Sequence, residues 1–217
     1  MDAKGRKWFR GALGETELRA LDAVISINGR PGVRLDTSAL GAAGDVLLRI
    51  AASVAPTAQA VRVVGFDKRD ELNWSLGWHQ DRVVALRDRV DTPGFSAWTR
   101  KAGVWHAEPP FDFLKSMLFL RVHLDDADAN NGPLEIALGS HRAGRVRSED
   151  AAEVAGYRDR ESCIAQRGDV LAASALILHR SGASRSSSPR RAVRIDYATE
   201  PLPAPLEWAD ASGRVSA

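Results

Sequence analysis

Residues 76–82 read LGWHQDR and place His79 and Asp81 two positions apart in an apolar, aromatic setting. An imidazole and a carboxylate at that spacing can share one face of a strand, because alternate residues of a strand point the same way. By itself an H-x-D pair most often marks a surface charge pair or a hydrogen bond. With a second histidine brought in from a distant strand it becomes a different object: two imidazoles and one carboxylate hold a redox-active divalent metal such as Fe(II) on one face and leave positions open for substrate and dioxygen. The other histidines are His106, His123, His141 and His179. His179 suits the role best. It ends the apolar stretch DVLAASALIL and opens a polar loop, where a ligand at the rim of a barrel would sit. Arg190 follows eleven residues later, in SPRRAVRIDYA. A hairpin would return it beside His179, and an arginine there can grip a carboxylate in two-pronged fashion. An open metal site next to such a clamp fits a chelating keto acid.

The surrounding chain must supply strands to carry these residues. Several segments have the short, β-rich character of strands: QAVRVVGF, LNWSLGWHQ, MLFLRVHLDD, PLEIAL, SCIAQ, DVLAASALILH and RAVRIDYA. In MLFLRVHLDD, Leu118, Leu120, Val122 and Leu124 alternate with Phe119, Arg121 and His123. Turn-forming clusters such as DADANNGP and SGASRSSSP separate the segments. Ahead of them, ETELRALDAVISI and ALGAAGDVLLRIAASVAP carry apolar residues at helical spacing, the first stopped by NGRPG and the second by Pro56. The expectation is a mainly β fold with flanking helices, an antiparallel sandwich or barrel. It forms a single domain over 1–217, with a mostly helical 1–58 packed on a β core at 59–200. The segment 88–113, rich in Pro, Gly and aromatic residues, reads as a long binding loop or lid.

Composition excludes several other classes. The chain has 217 residues, 44% hydrophobic and 27% charged, which suits an ordinary folded protein. A net charge of +2 is too small for a dedicated nucleic-acid binder, and SRSSSPRR (184–191) reads as a polar loop between strands. The lone Cys163 rules out an internal disulfide. No apolar run approaches membrane-spanning length, so a cytoplasmic protein without nucleic-acid or membrane partners, monomeric or homodimeric, is expected.

WHQD (78–81), NGPLEIALGSHRAG (131–144), GDVL (168–171) and His179 followed by Arg190 occur in that order. In this the chain resembles the phytanoyl-CoA dioxygenase family of Fe(II)- and 2-oxoglutarate-dependent oxygenases. The likeness runs from about Lys68 to Ala198, and its most specific part is the N-G-x-L element followed by the G-S-H turn. The resemblance implies a double-stranded β-helix, the jelly roll of cupin-like proteins. It implies Fe(II) on His79, Asp81 and His179, with 2-oxoglutarate held by Arg190 with help from Ser181, and O2 as co-substrate. Related halogenases have Gly or Ala in place of the carboxylate ligand, so Asp81 points to hydroxylation of an unactivated C–H bond of a small molecule, with release of succinate and CO2; desaturation, epoxidation and ring rearrangement use the same ligands and stay open. His141 belongs to the G-S-H turn and takes a structural role. Arg180, where a small residue is common, would narrow or recharge the entrance. For substrate contacts the sequence offers Trp98, Trp105, His106 and Phe111 from the aromatic segment, and Arg121 if its strand face lines the barrel. The competing readings are a cupin-like metal enzyme that does not use a keto acid, against which Arg190 speaks, and a non-catalytic small-molecule-binding barrel.

Overall fold

The computed structural model describes residues 1–25 and 32–209. Of the expected NGRPG stop, only Gly32 falls within the described residues. The centre of the molecule is a sheet of six strands. They are β1 (Arg6–Phe9), β2 (Gly32–Leu35), β3 (Gln59–Lys68), β8 (Leu118–His123), β11 (Val170–Ser174) and β13 (Arg190–Ala198), in the order β1-β11-β8-β13-β3-β2. A second sheet of four faces it: β4 (Leu76–His79), β9 (Leu134–Ala137), β10 (Arg160–Ser162) and β12 (His179–Ser181), in the order β10-β9-β12-β4. Pairing is antiparallel throughout both. This is the antiparallel β fold that the strand segments predicted, arranged as the jelly roll that the family resemblance implied.

The period of two sorts the large sheet into opposite faces. Leu118, Leu120, Val122, Val170, Ala172, Val193 and Ile195 point outward, onto α1 (Glu15–Val24) and α2 (Ala43–Ala52). Leu18 and Leu21 of α1, and Ala43, Leu47 and Ala51 of α2, recur at helical spacing and complete that layer. Inward, Phe119, Leu171 and Ala173 meet Leu134 and Ile136 of the small sheet, with Cys163 and Ile177. Among the described residues no helix is long and apolar enough to cross a membrane.

Three sequence expectations change. The N-terminal part is not only helical, since β1 and β2 extend the large sheet at its two edges. The stretch 169–179 is not one strand: after β11 a turn, closed by Ile177 N–H on the Ser174 carbonyl at 3.1 Å, carries the chain across to β12 in the opposite sheet. The segment 88–113 is not a long loop either. It holds β6 (Ser96–Lys101) and β7 (Val104–Glu108), which form a three-stranded sheet with β5 (Val84–Leu86), and it runs into α3 (Phe111–Ser116). Ala102 and Gly103 close the β6–β7 hairpin with φ of 47° and 81°, the left-handed pair that a two-residue turn requires.

Candidate metal centre and keto-acid cavity

His179 on β12 pairs directly with His79 on β4, so the two rings are cross-strand neighbours with centroids 4.2 Å apart. Asp81 lies just beyond the end of β4. The intervening Gln80 holds it there: its amide donates to the carbonyls of Gly144 (2.9 Å) and Leu176 (2.7 Å) and accepts from Val146 N–H (2.9 Å). One ligand atom from each of His79, Asp81 and His179 lies within 4.8 Å of the others. Each imidazole is already oriented. Nδ1 of His79 lies 2.8 Å from the Gly77 carbonyl and Nδ1 of His179 lies 3.0 Å from the Ile177 carbonyl. A carbonyl only accepts, so Nδ1 carries the proton in both rings and each Nε2 keeps its lone pair for a metal.

Electrostatics favours the same use. Burial alone would raise Asp81, but the Arg194 guanidinium, with His179 and His79, holds it well below the usual carboxylate range. Burial and the neighbouring His179 lower His79, which keeps it neutral. Arg194 donates from Nη1 to Asp81 and from Nε to Asp196 at 2.6 Å, and its guanidinium stacks 4.0 Å from the centre of the Phe119 ring. Two nitrogens with fixed tautomers and an ionised carboxylate make a donor set that fits Fe(II).

A cavity of about 240 Å³ opens in front of these three residues, and Arg190, Ser181, Arg121 and Arg194 also line it. Arg190 is 2% exposed. Its Nε donates to the Asn131 carbonyl (3.1 Å) and its Nη2 to Ser181 Oγ (3.4 Å), while Nη1 is buried with no partner in the protein. A buried guanidinium nitrogen without an acceptor is costly, and a carboxylate would satisfy it. A carboxylate such as the distal end of a keto acid fits that position.

The NGPL element now has a physical reason. Gly132 has φ of 63°, and a Cβ there would lie 2.4 Å from the Gly182 carbonyl oxygen. Only glycine lets this turn press against the loop after β12. The same turn delivers the Asn131 carbonyl to Arg190 and the Gly132 carbonyl to Ser181 Oγ (3.1 Å). In the G-S-H turn, Ser140 Oγ donates to the Ala137 carbonyl (2.6 Å) and accepts from Leu178 N–H (2.8 Å), which ties β9 to the residue before His179. His141 packs over Gly5, away from the cavity wall.

A model of the phytanoyl-CoA dioxygenase family matches residues 47–192, more than half of the chain. The chain belongs to this family. It is accordingly a non-haem oxygenase that uses Fe(II), 2-oxoglutarate and O2. Solved structures with the same fold include AviO1 from Streptomyces viridochromogenes Tue57 (18% identity, TM-score 0.63, covering 94% of this chain and 93% of that one). Another is SnoK, a non-heme alpha ketoglutarate dependent carbocyclase from nogalamycin biosynthesis (16%, 0.64, covering 96% and 83%). A third is HygX from Streptomyces hygroscopicus with nickel and 2-oxoglutarate bound (17%, 0.60, covering 91% and 83%). None of the curated proteins compared matches the chain.

The remaining sequence candidates divide. Arg121 lies on the cavity wall. Trp98, Trp105 and His106 do not line this cavity, because β6 and β7 pair with each other and turn their aromatic residues elsewhere. Trp98 and Trp105 meet edge-on at 6.5 Å and, with Phe111, pack on a separate apolar cluster around Leu86, Phe95 and Phe113. His106 lies 3.4 Å from Arg34 Nη2. Arg180 does line the cavity, but Glu135 holds it through two bonds of 3.1 and 2.9 Å. Sequence reasoning missed Lys68 and Arg194. Lys68 is fully buried, and its ammonium donates to the Trp74 and Gly182 carbonyls and to Ser181 Oγ, so it braces the serine beside Arg190. The only signal for either was alternation within its strand, which gives the face and not its direction.

Proposed function

We propose that this oxygenase hydroxylates an unactivated C–H bond of a small molecule, with iron on His79, Asp81 and His179 and the keto acid on Arg190 and Ser181. The observation that carries the keto-acid assignment is the unpartnered Nη1 of Arg190, buried in the wall of the same cavity as the triad. Bound Fe(II) and 2-oxoglutarate supply an oxidant for C–H bonds, with succinate and CO2 as the co-products. The protein's own share is placement. The Gly77 and Ile177 carbonyls aim the two imidazoles, Gln80 and Arg194 fix the carboxylate, and Ser181 with Lys68 steadies the arginine clamp. Asp81 fills the third ligand position, which favours oxygen transfer over halide transfer. SnoK, of like fold, is a carbocyclase, so a ring closure by the same ligand set is the second reading.

The test is 2-oxoglutarate turnover under air, followed as succinate with a panel of small molecules. Arg190→Ala is expected to raise the KM for 2-oxoglutarate about tenfold or more, the worth of a charge-assisted pair, with iron still bound. Unchanged KM in that variant would contradict the assignment. Oxygen from labelled O2 is expected in the product alcohol as well as in succinate; a dehydrogenated or cyclised product without label favours the second reading.

A further inference from the structure

The cations around the cavity fall into two sets. Lys68, Arg121 and Arg190 form one: Arg190 and Arg121 join burial in lowering Lys68, and Arg190 joins burial in lowering Arg121. That set is the keto-acid end. Arg62 on β3 also lines the cavity but has other neighbours. Burial, then the charges of Arg34, Arg62 and Lys101, hold His106 below its ordinary value against the pull of the Val104 carbonyl, so the ring is neutral. Nδ1 of His106 lies 3.1 Å from that carbonyl and carries the proton, which leaves Nε2 to accept from Arg34 Nη2 at 3.4 Å. The β6–β7 hairpin thus helps to position Arg34 on β2. Arg34 is the cross-strand partner of Val64, so it shares the inward face of the sheet with Arg62, two residues along β3.

The strand register places the two sets on opposite sides of the triad. Along β13, Arg190 pairs with Lys68, Arg194 with Val64 and Asp196 with Arg62. The step along β3 from Lys68 to Arg62 is roughly 20 Å at strand rise. Arg194, which holds the ligand carboxylate Asp81, comes between them. Arg62 is incompletely satisfied at its end. Its Nε is buried with no partner, and its Nη1 comes only within 3.5 Å of Asp196 Oδ2, while Asp196 Oδ1 is taken by Arg194 Nε at 2.6 Å. A buried guanidinium N–H without an acceptor costs free energy that an anionic oxygen would recover.

We infer that Arg62, with Arg34 beside it, receives an anionic group of the primary substrate, a carboxylate or a phosphate, on the side of the triad away from Arg190. Asp196 is two residues beyond Arg194, so that group sits roughly 7 Å along the sheet from the level of Asp81. The substrate is then oxidised a few bonds from its own charge. The placing of the keto acid and of the oxidation rests on the proposed function, but the binding of an anion by Arg62 can be read without it.

The experiment is anaerobic calorimetry on the full chain with Fe(II), with and without saturating 2-oxoglutarate, at constant ionic strength, using acetate and inorganic phosphate as probes. Wild type loaded with 2-oxoglutarate, whose clamp is then filled, is expected to bind at least one probe saturably; the tighter probe tells carboxylate from phosphate. Arg62→Met is expected to weaken that binding about tenfold or more while its affinity for 2-oxoglutarate stays as in wild type. Arg62→Met should fold, since Asp196 keeps Arg194. Arg62→Lys, which keeps the charge, should retain part of the probe binding. The inference is overturned if loaded wild type binds neither probe, or if Arg62→Met binds them unchanged. It is also overturned if Arg62→Met loses 2-oxoglutarate instead, which would put Arg62 on the co-substrate. Failure of wild type to bind 2-oxoglutarate at all would count against the proposed function, and the comparison of wild type with Arg62→Met in the metal-only protein would still decide the inference.

Discussion

The two faces of the six-stranded sheet are made by alternate residues of the same strands, yet they have opposite chemistry. On β8, Leu118, Leu120 and Val122 face the helices, while Phe119, Arg121 and His123 face the second sheet. On β13, Val193 and Ile195 face out, while Arg190, Arg194 and Asp196 face in. The outer face removes apolar surface from water and holds the fold together. The inner face buries cations and a neutral histidine, which costs stability and yields a site. A single-residue slip in register would exchange the two.

The largest effect expected from the inner face is functional. His179→Ala removes one of the three proposed metal donors and should bring 2-oxoglutarate turnover below detection, with the thermal midpoint close to that of wild type. A collapse of the midpoint would show that the inner face is also structural. The outer face should respond the other way. Leu120→Ala deletes a fully buried side chain and should cost roughly 2–5 kcal/mol in urea unfolding, while turnover per folded molecule is retained.

A smaller effect concerns a residue that touches neither metal nor keto acid. Asp196 holds the Nε of Arg194 at 2.6 Å, and Arg194 in turn holds Asp81. Asp196→Asn leaves Arg194 free to pull on the ligand carboxylate, and iron affinity measured by chelator competition should fall about 10–100-fold. The smallest effect is a slope. His123 is fully buried with neither ring nitrogen bonded, and burial, with Arg121 and Arg190 adding, pushes it down to about 3. Unfolded, it titrates near its ordinary 6.5, so between those values the unfolded chain binds the extra proton. Its contribution to stability is therefore complete above pH 6.5 and is lost as pH falls toward 3. Urea unfolding of His123→Leu at pH 7, 6 and 5 should be less pH-dependent than that of wild type; equal slopes would contradict the assignment.

The sequence carried the sheet through the alternation at 118–124, and the site through H-x-D spacing and a histidine at the end of an apolar run. It did not carry the edge strands β1 and β2. Arg6–Phe9 gains its partner from Val170–Ala173, far along the chain, and short charged edge segments have no pattern of their own. The sheet change at Ser174–Ile177 was hidden because both sides of the turn are apolar. The β6–β7 hairpin was hidden because Ala102, rather than Asn or Asp, occupies its first turn position. The partners of Arg194 could not be read because alternation says which residues share a face and not which face looks inward.

The measurement closest to the central claim is the visible charge-transfer band of the Fe(II)–2-oxoglutarate chelate, recorded without oxygen on wild type, Asp81→Ala and Arg190→Ala. A band in wild type that weakens in both variants is the predicted result: the triad holds iron and Arg190 holds the keto acid in one cavity. Iron bound by wild type with no band would contradict it.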